Sequence, residues 1–269
     1  MKVAVTGAAG GVASLLRPAL RERYEAVHLI DRVPVAGLQT NETAVALPLS
    51  DVDGLRAAFA GVDAVLHLGG NPYEADWAEI DGSNITGTYN VFEAARRAGV
   101  RRIAFASSCQ VVGFYPRNRR LAATDPIRPS SLYGVSKAAG EALASHYADK
   151  HGLKVLSIRI GRCQPIPSDF RHLSVWVAPD DLFLLVTIGF EHPDITHDVV
   201  WGLSDNARAW WDNHRAFELG YRPRHRAEDH FAAAAEGQKT KRPDPIGELF
   251  QGASLASLDY DGDLHARIA

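Results

Sequence analysis

The chain has 269 residues, 46% apolar and 23% charged, with a formal net charge of −3. That is ordinary globular usage and excludes a disordered, collagen-like or coiled-coil chain; the mildly acidic balance argues against a dedicated nucleic-acid binder. No apolar run reaches the length of a membrane span, and a chain of this size buries enough surface to need no metal or disulfide staple.

Residues 3–5 form a short apolar run closed by Thr6-Gly7, which reads as a strand. A helical pattern follows through Leu15, Leu16, Ala19 and Leu20. Residues 26–30 read as a second strand ending at Asp31, and residues 52–59 as a helix after a further strand. Residues 64–68 are a clear strand closed by Gly69-Gly70. A helix over 80–98 stops at Gly99, and a strand over 102–106 runs into Ser107-Ser108. A helix over 133–151 is closed by Gly152. Residues 155–160 and 199–203 read as later strands. The stretch 161–197, rich in Pro, Asp and His, reads as irregular sequence capping one end of the sheet. Residues 222–246 read as surface loop or tail, and their basic residues as a solvated face. Strands alternating with helices predict βαβ units and a parallel sheet. We expect an α/β, Rossmann-type doubly wound sheet with a small C-terminal substrate-binding lobe. The dinucleotide core is placed at 1–160, with capping, late sheet and tail elements at 161–269. The start has no signal-peptide h-region. Cys109 and Cys163 form no Cys-x-x-Cys pair, so a reducing, cytoplasmic setting is expected. His172, His192 and His197 are scattered, and no metal is expected.

Thr6-Gly7-Ala8-Ala9-Gly10-Gly11 links the first strand to a helix. Glycines there permit a tight turn, and the helix start offers free N–H groups to a pyrophosphate. Asp31, 24 residues after Gly7, stands where a carboxylate accepts both adenosine-ribose hydroxyls. It would repel a 2′-phosphate, which favours NAD; Arg32 beside it is the feature that would support NADP. Asp51-Val52 is either an adenine clamp or a helix start with Asp51 as cap.

Tyr133 and Lys137 stand four apart on a predicted helix and so share a face. An ammonium beside a phenol lowers its pKa and makes Tyr133 a usable base. The Ser108 hydroxyl can hold a substrate oxygen where charge develops.

This layout resembles the extended short-chain dehydrogenase/reductase family over roughly residues 1–220. With Gly11, Val12 and Arg32 as further candidate cofactor residues, the matching positions are Gly7 and Gly10 of the loop, Asp31, Asp51 and Val52, and Leu68, Gly69 and Gly70 beside the nicotinamide half. They continue through Asn84, Ser107, Ser108, Tyr133, Lys137 and the Arg159-Ile160 strand end. The resemblance implies Ser108, Tyr133 and Lys137 as catalytic residues, with Lys137 also on the nicotinamide ribose. It also implies self-association through two long helices, near 80–98 and 133–150. Ala13 replaces the usual third glycine and is small enough to keep helix–sheet packing.

Residues 111–117, Arg159-Ile160-Gly161 with Cys163, residues 173–176 and Asn206-Ala207-Arg208 through Trp210-Trp211-Asp212 are similar to the uronate dehydrogenases. That resemblance implies NAD-dependent oxidation of a hexuronate at C1 to an aldaric acid lactone, with Arg171 on the substrate carboxylate; a surface ion pair is the plainer reading of Arg171. Around the pocket the sequence departs from that pattern. Cys109-Gln110 stand for Asn-His, Asn71-Pro72 for a serine, and Arg162 for another serine. Pro72, Ser108, Cys109, Gln110, Tyr133, Arg162 and Arg171 are therefore the candidate substrate residues. Arg162 either adds a cation to the pocket or pairs with Asp169 or Asp180. Trp210-Trp211 reads as packing more readily than as a sugar platform. The rival activities are a 1-dehydrogenase of another sugar or sugar phosphate and a sugar epimerase; a non-catalytic dinucleotide sensor is the rival outside enzymes.

Overall fold

The computed structural model describes residues 1–264. The final five residues of the expected polar tail lie outside the described residues. Seven strands form one sheet: β1 (Lys2–Thr6), β2 (Ala26–Asp31), β3 (Glu42–Ala46), β4 (Ala64–His67), β5 (Arg102–Ser108), β6 (Lys154–Ile160) and β7 (His197–Gly202). Their order is β7-β6-β5-β4-β1-β2-β3, and every pairing is parallel. The order reverses between β1 and β4, the switch point at which doubly wound sheets take their ligands.

Parallel strands covered on both faces are apolar throughout, and β1 and β4 are buried at Val3 to Thr6 and Ala64 to His67. Five helices supply the cover: α1 (Gly11–Arg23), α2 (Val52–Ala58), α3 (Gly87–Ala98), α4 (Leu132–His151) and α5 (Pro179–Glu191). On one face Leu16 and Leu20 of α1 and Leu185 and Phe190 of α5 meet Val3, Val5 and Leu156. On the other, Leu55 of α2, Phe92 of α3 and Ala144 of α4 meet Ala4, Val65 and Phe105. Each of these leucines, valines and phenylalanines contributes roughly 1.5–3 kcal/mol on burial.

Two expectations are corrected. The stretch 161–197 is not irregular throughout, because it contains α5. Leu182, Leu185, Val186, Gly189 and Phe190 are its buried positions, and their spacing is that of one helical face. Pro179 at its first turn is a helix-start signal. Residues 222–246 are also more ordered than expected: Phe231–Gln238 is a helix whose Ala234 is fully buried against Trp176 and Leu173.

The helix expected over 80–98 opens with a π-helical stretch, Asp81–Thr86, that turns Asn84 inward. Asn84 accepts from Asn71 N at 2.7 Å and donates to Asn71 O at 2.9 Å and Ser136 Oγ at 3.1 Å. The loop after β4 is thereby tied to α4. Glu74 of the same loop accepts the N–H groups of Leu132 at 2.8 Å and Tyr133 at 3.0 Å, capping α4 where it carries the tyrosine.

Helix α4 is locked to the sheet four residues beyond Lys137. Glu141 accepts from Arg159 Nε and Nη2, both at 2.8 Å, and from Ser107 Oγ at 2.6 Å. Arg159 also donates to Ala123 O at 3.0 Å and lies over the Trp201 ring. Gly140 lets the helix rest on Phe105, since a Cβ there would stand 2.3 Å from the ring. Replacing Glu141 by Ala strands the buried Arg159 charge. We expect a loss of about 3–5 kcal/mol, read from the urea midpoint, whereas a loss under about 1 kcal/mol would rank the pair with exposed ones.

Candidate active site

The expected cofactor and catalytic residues gather at the carboxyl ends of the strands. After β1, Gly7 has φ +72°, and a Cβ on it would lie 2.7 Å from the backbone nitrogen of Gly69 after β4. The two turns touch, backbone on backbone, which only glycine permits. Helix α1 starts at Gly11 with no side-chain cap from Gly10. Its first N–H groups are available to an anion. Asp31 ends β2 and accepts from Ala9 N at 3.0 Å and Val33 N at 3.2 Å, so its carboxylate stands beside the loop. Arg32 is exposed. The donor set fits a dinucleotide: open amides for the pyrophosphate and a carboxylate for ribose hydroxyls. Asp51 caps α2 through Gly54 N at 2.9 Å, the second of its two expected roles, and Val52 begins that helix. Val12 and Leu68 are half-buried beside the first core, together with Ile160 at the end of β6. Gly70 packs on Asn84, and Pro72 is exposed in the tethered loop. The Ser107 hydroxyl, placed among cofactor residues from the sequence, is engaged by Glu141.

The three expected catalytic residues converge. Ser108 ends β5, and its hydroxyl lies beside the Tyr133 phenol, whose pKa it lowers. Lys137 Nζ lies 5.6 Å from the Tyr133 ring centre and 5.2 Å from that of Phe105. Burial pushes Lys137 down to about 8. The expected lowering of Tyr133 by Lys137 is corrected: burial raises the phenol to about 12, Ser108 pulls it down, and the nearby Cys109 pushes it up. Loss of hydration is the largest influence on the phenol. Beneath them His67 bridges Thr6 Oγ1 at 2.7 Å and Thr88 Oγ1 at 3.1 Å. Burial first, and the Lys137 charge second, hold it neutral, down to about 3.

The substrate candidates divide. The Cys109 thiol is buried, and its pKa is raised by burial against the pull of the neighbouring Arg171 guanidinium. Arg171 donates Nη2 to Gln251 O at 2.9 Å and lies 6.0 Å from the Trp210 ring centre. Its Nε is buried without an acceptor, and among the described residues no carboxylate pairs with it. The surface ion-pair reading of Arg171 is therefore set aside. Gln110 is taken up elsewhere: Nε2 donates to Gly252 O at 3.1 Å, and Oε1 accepts from Ser130 Oγ at 2.7 Å. Arg162 is exposed and donates to Gln164 Oε1 at 3.0 Å. Neither suggested partner takes it, since Asp169 pairs with Lys241 and Asp180 faces His225. The tryptophans part company: Trp211 stacks on Trp201 in the core, and Trp210 faces Arg117 and Arg171.

Sequence reasoning missed three residues that shape the site. Glu141 carried a readable signal, the spacing 133, 137, 141 on one helix face. Glu74 and Gln251 carried none, because their partners are remote in sequence.

Fold and site together define a Rossmann-type protein that pairs a dinucleotide cradle with a serine–tyrosine–lysine set. The chain belongs to the NAD dependent epimerase/dehydratase family, whose model matches residues 3–163. It is similar to a uronate dehydrogenase of Pseudomonas putida, 41% identical over 256 residues that cover 95% of each chain. The crystal structure of uronate dehydrogenase from Agrobacterium tumefaciens matches with a TM-score of 0.90 at 40% identity, over 95% of this chain and 96% of that one. A tyrosine-to-alanine mutant of that enzyme, also at TM-score 0.90 and 40% identity with the same coverage, is complexed with NAD. An NAD-dependent glucose-6-phosphate dehydrogenase of Haloferax volcanii is 36% identical over 82% of this chain and 92% of its own.

Replacing Asp31 by Ala removes the carboxylate from the cradle. Calorimetric titration with NAD should show affinity falling by about tenfold or more, the scale of one lost charged hydrogen bond. Unchanged affinity would place the ribose elsewhere.

Proposed function

We propose that this protein oxidises a hexuronate, glucuronate or galacturonate, at C1 with NAD, yielding an aldaric acid lactone and NADH. One observation carries the choice of a sugar acid: a partly buried guanidinium, Arg171, without a carboxylate partner among the described residues, beside Cys109, the residue after Ser108. A buried cation without a protein counter-ion is matched by an anionic ligand, and guanidinium binds carboxylate in two-point fashion. The family and the uronate dehydrogenase relatives support the same reading.

Bound NAD supplies the electrophilic ring carbon that takes the C1 hydride. Tyr133, as the phenolate, takes the proton of the C1 hydroxyl, and the Ser108 hydroxyl beside it donates to that oxygen. Lys137, still an ammonium at neutral pH, stands 5.6 Å from the Tyr133 ring centre, where its charge favours the phenolate. With the phenol high, its base form is scarce at neutral pH, so turnover rises as the medium becomes alkaline.

A second reading, oxidation of a sugar phosphate at the same carbon, is favoured by Arg162, exposed and without a carboxylate partner among the described residues. NADH absorbance with glucuronate, galacturonate, glucose and glucose 6-phosphate decides between them. We expect turnover with the uronates, faster at alkaline pH, lost in Tyr133→Phe, and with KM for uronate raised by about tenfold or more in Arg171→Ala. Turnover with glucose 6-phosphate alone would overturn the uronate assignment, and absence of NADH with every sugar would overturn dehydrogenation.

Among the described residues no helix is long and apolar enough to cross a membrane. We place the protein in the cytoplasm as a homo-oligomer joined through α3 and α4, whose outer faces expose Tyr89 and Val135. Light scattering should return a multiple of 29.2 kDa; the mass of a single chain would overturn this assembly.

A further inference from the structure

We propose that Gln251 is a positioning residue of the sugar-acid site, holding in place the peptide carbonyl that aims Arg171. The proposal rests on the reading of Arg171 as the carboxylate clamp. Residues 249–252 lie along residues 113–117. Arg117 N donates to Leu249 O at 2.9 Å, Gln251 N to Tyr115 O at 2.9 Å and Gly252 N to Gly113 O at 2.8 Å.

Within this segment Gln251 is fully buried although polar. Its amide is satisfied on both sides. Nε2 donates to Pro116 O at 3.1 Å and Arg119 O at 2.8 Å, while Oε1 accepts from Trp211 Nε1 at 2.7 Å. Trp211 is itself fixed by stacking on Trp201. A side chain pinned at three points fixes its own backbone. The Gln251 carbonyl accepts Arg171 Nη2, and the next carbonyl, Gly252 O, accepts from Gln110, two residues after Ser108.

Two consecutive carbonyls of one segment thus tether two residues of the pocket. Guanidinium has five N–H donors. One bond to Gln251 O restrains a long, rotatable side chain and leaves the other donors for a ligand. Arg117 lies over the same Trp210 ring and binds the segment through Phe250 O and Gly247 O, so it reinforces the segment without neutralising Arg171. An apolar residue would fill the space of Gln251 but would orphan Trp211 Nε1 and two carbonyls, freeing the segment to shift.

Steady-state kinetics on the full chain, with glucuronate and NAD varied in turn, test the role. In Gln251→Met we expect KM for glucuronate to rise by about tenfold, the scale of one charged hydrogen bond, with KM for NAD and kcat within about twofold of the parent. Trp211→Phe keeps an aromatic ring at the position, removes the indole N–H that bonds Gln251, and gives up part of the stack on Trp201. It should move the same constant in the same direction by less, and it carries the test should Gln251→Met fail to fold. In an Arg171→Ala background Gln251→Met should add nothing. An unchanged KM for glucuronate in Gln251→Met, an equal rise with Arg171 absent, or a parallel loss of kcat, both KM values and thermal stability would each overturn the proposal. If Arg171→Ala itself leaves KM for glucuronate unchanged, the clamp reading fails, and the proposal with it; a rise in Arg171→Ala without one in Gln251→Met sinks the proposal alone.

Discussion

Arg159 and Glu141 meet where water does not reach, and the arrangement of the catalytic face follows from that meeting. A buried ion pair costs hydration and is tolerated only when its remaining donors and acceptors are met. Here Ser107, Ala123 O and the Trp201 ring meet them. Because Glu141 stands one turn beyond Lys137 and two beyond Tyr133, the pair sets the rotation of α4 as well as its position. A helix packed through apolar contacts alone can turn a few degrees at little cost; one pinned by a forked hydrogen bond cannot. Glu74 fixes the other end of the same helix at the N–H of Tyr133 itself. The phenol is thus aimed by two carboxylates that never touch the reacting atoms.

Most of the nucleotide half was legible because its signals are local. A strand, a glycine turn and a helix start lie within a dozen residues, and Tyr133 and Lys137 announce themselves by helical spacing. Helix α5 was overlooked although its apolar positions follow helical spacing, because the flanking Pro, Asp and His residues dominated the reading. The acid–base balance at Tyr133 was misjudged for another reason. Spacing gave the separation from Lys137 but not the depth of burial, which raises the phenol and lowers the amine. Gln110 marks a further limit. A glutamine beside the catalytic serine looks like a substrate ligand until its amide is seen engaged by Ser130 and Gly252.

The pocket therefore has two kinds of wall. The side toward the cofactor is backbone and short side chains at strand ends, held by the sheet. The side around Arg171 is built from arginine, tryptophan and glutamine, held by hydrogen bonds between remote segments. Of the positions read as departures from the uronate dehydrogenase pattern, Pro72 is exposed in the loop after β4, Cys109 is buried beside Arg171, Gln110 is engaged by Ser130 and Gly252, and Arg162 is exposed.

The bonds that complete the sugar side also order events in time. Arg171 and its tether at Gln251 are 80 residues apart, and Gln110 and Gly252 are 142 apart. Contacts that close such long loops form late, after the loop's entropy has been offset by nearer ones. A chain emerging from its N-terminus can therefore assemble β1, β2 and β4 and the loop between them well before residue 251 has been made. The cradle that would take the dinucleotide is built from contacts within the first 70 residues, whereas Arg171 gains its tether only once residues 249–252 have docked. A proteolytic cut or a bulky fusion near residue 250 should spare the first and abolish the second.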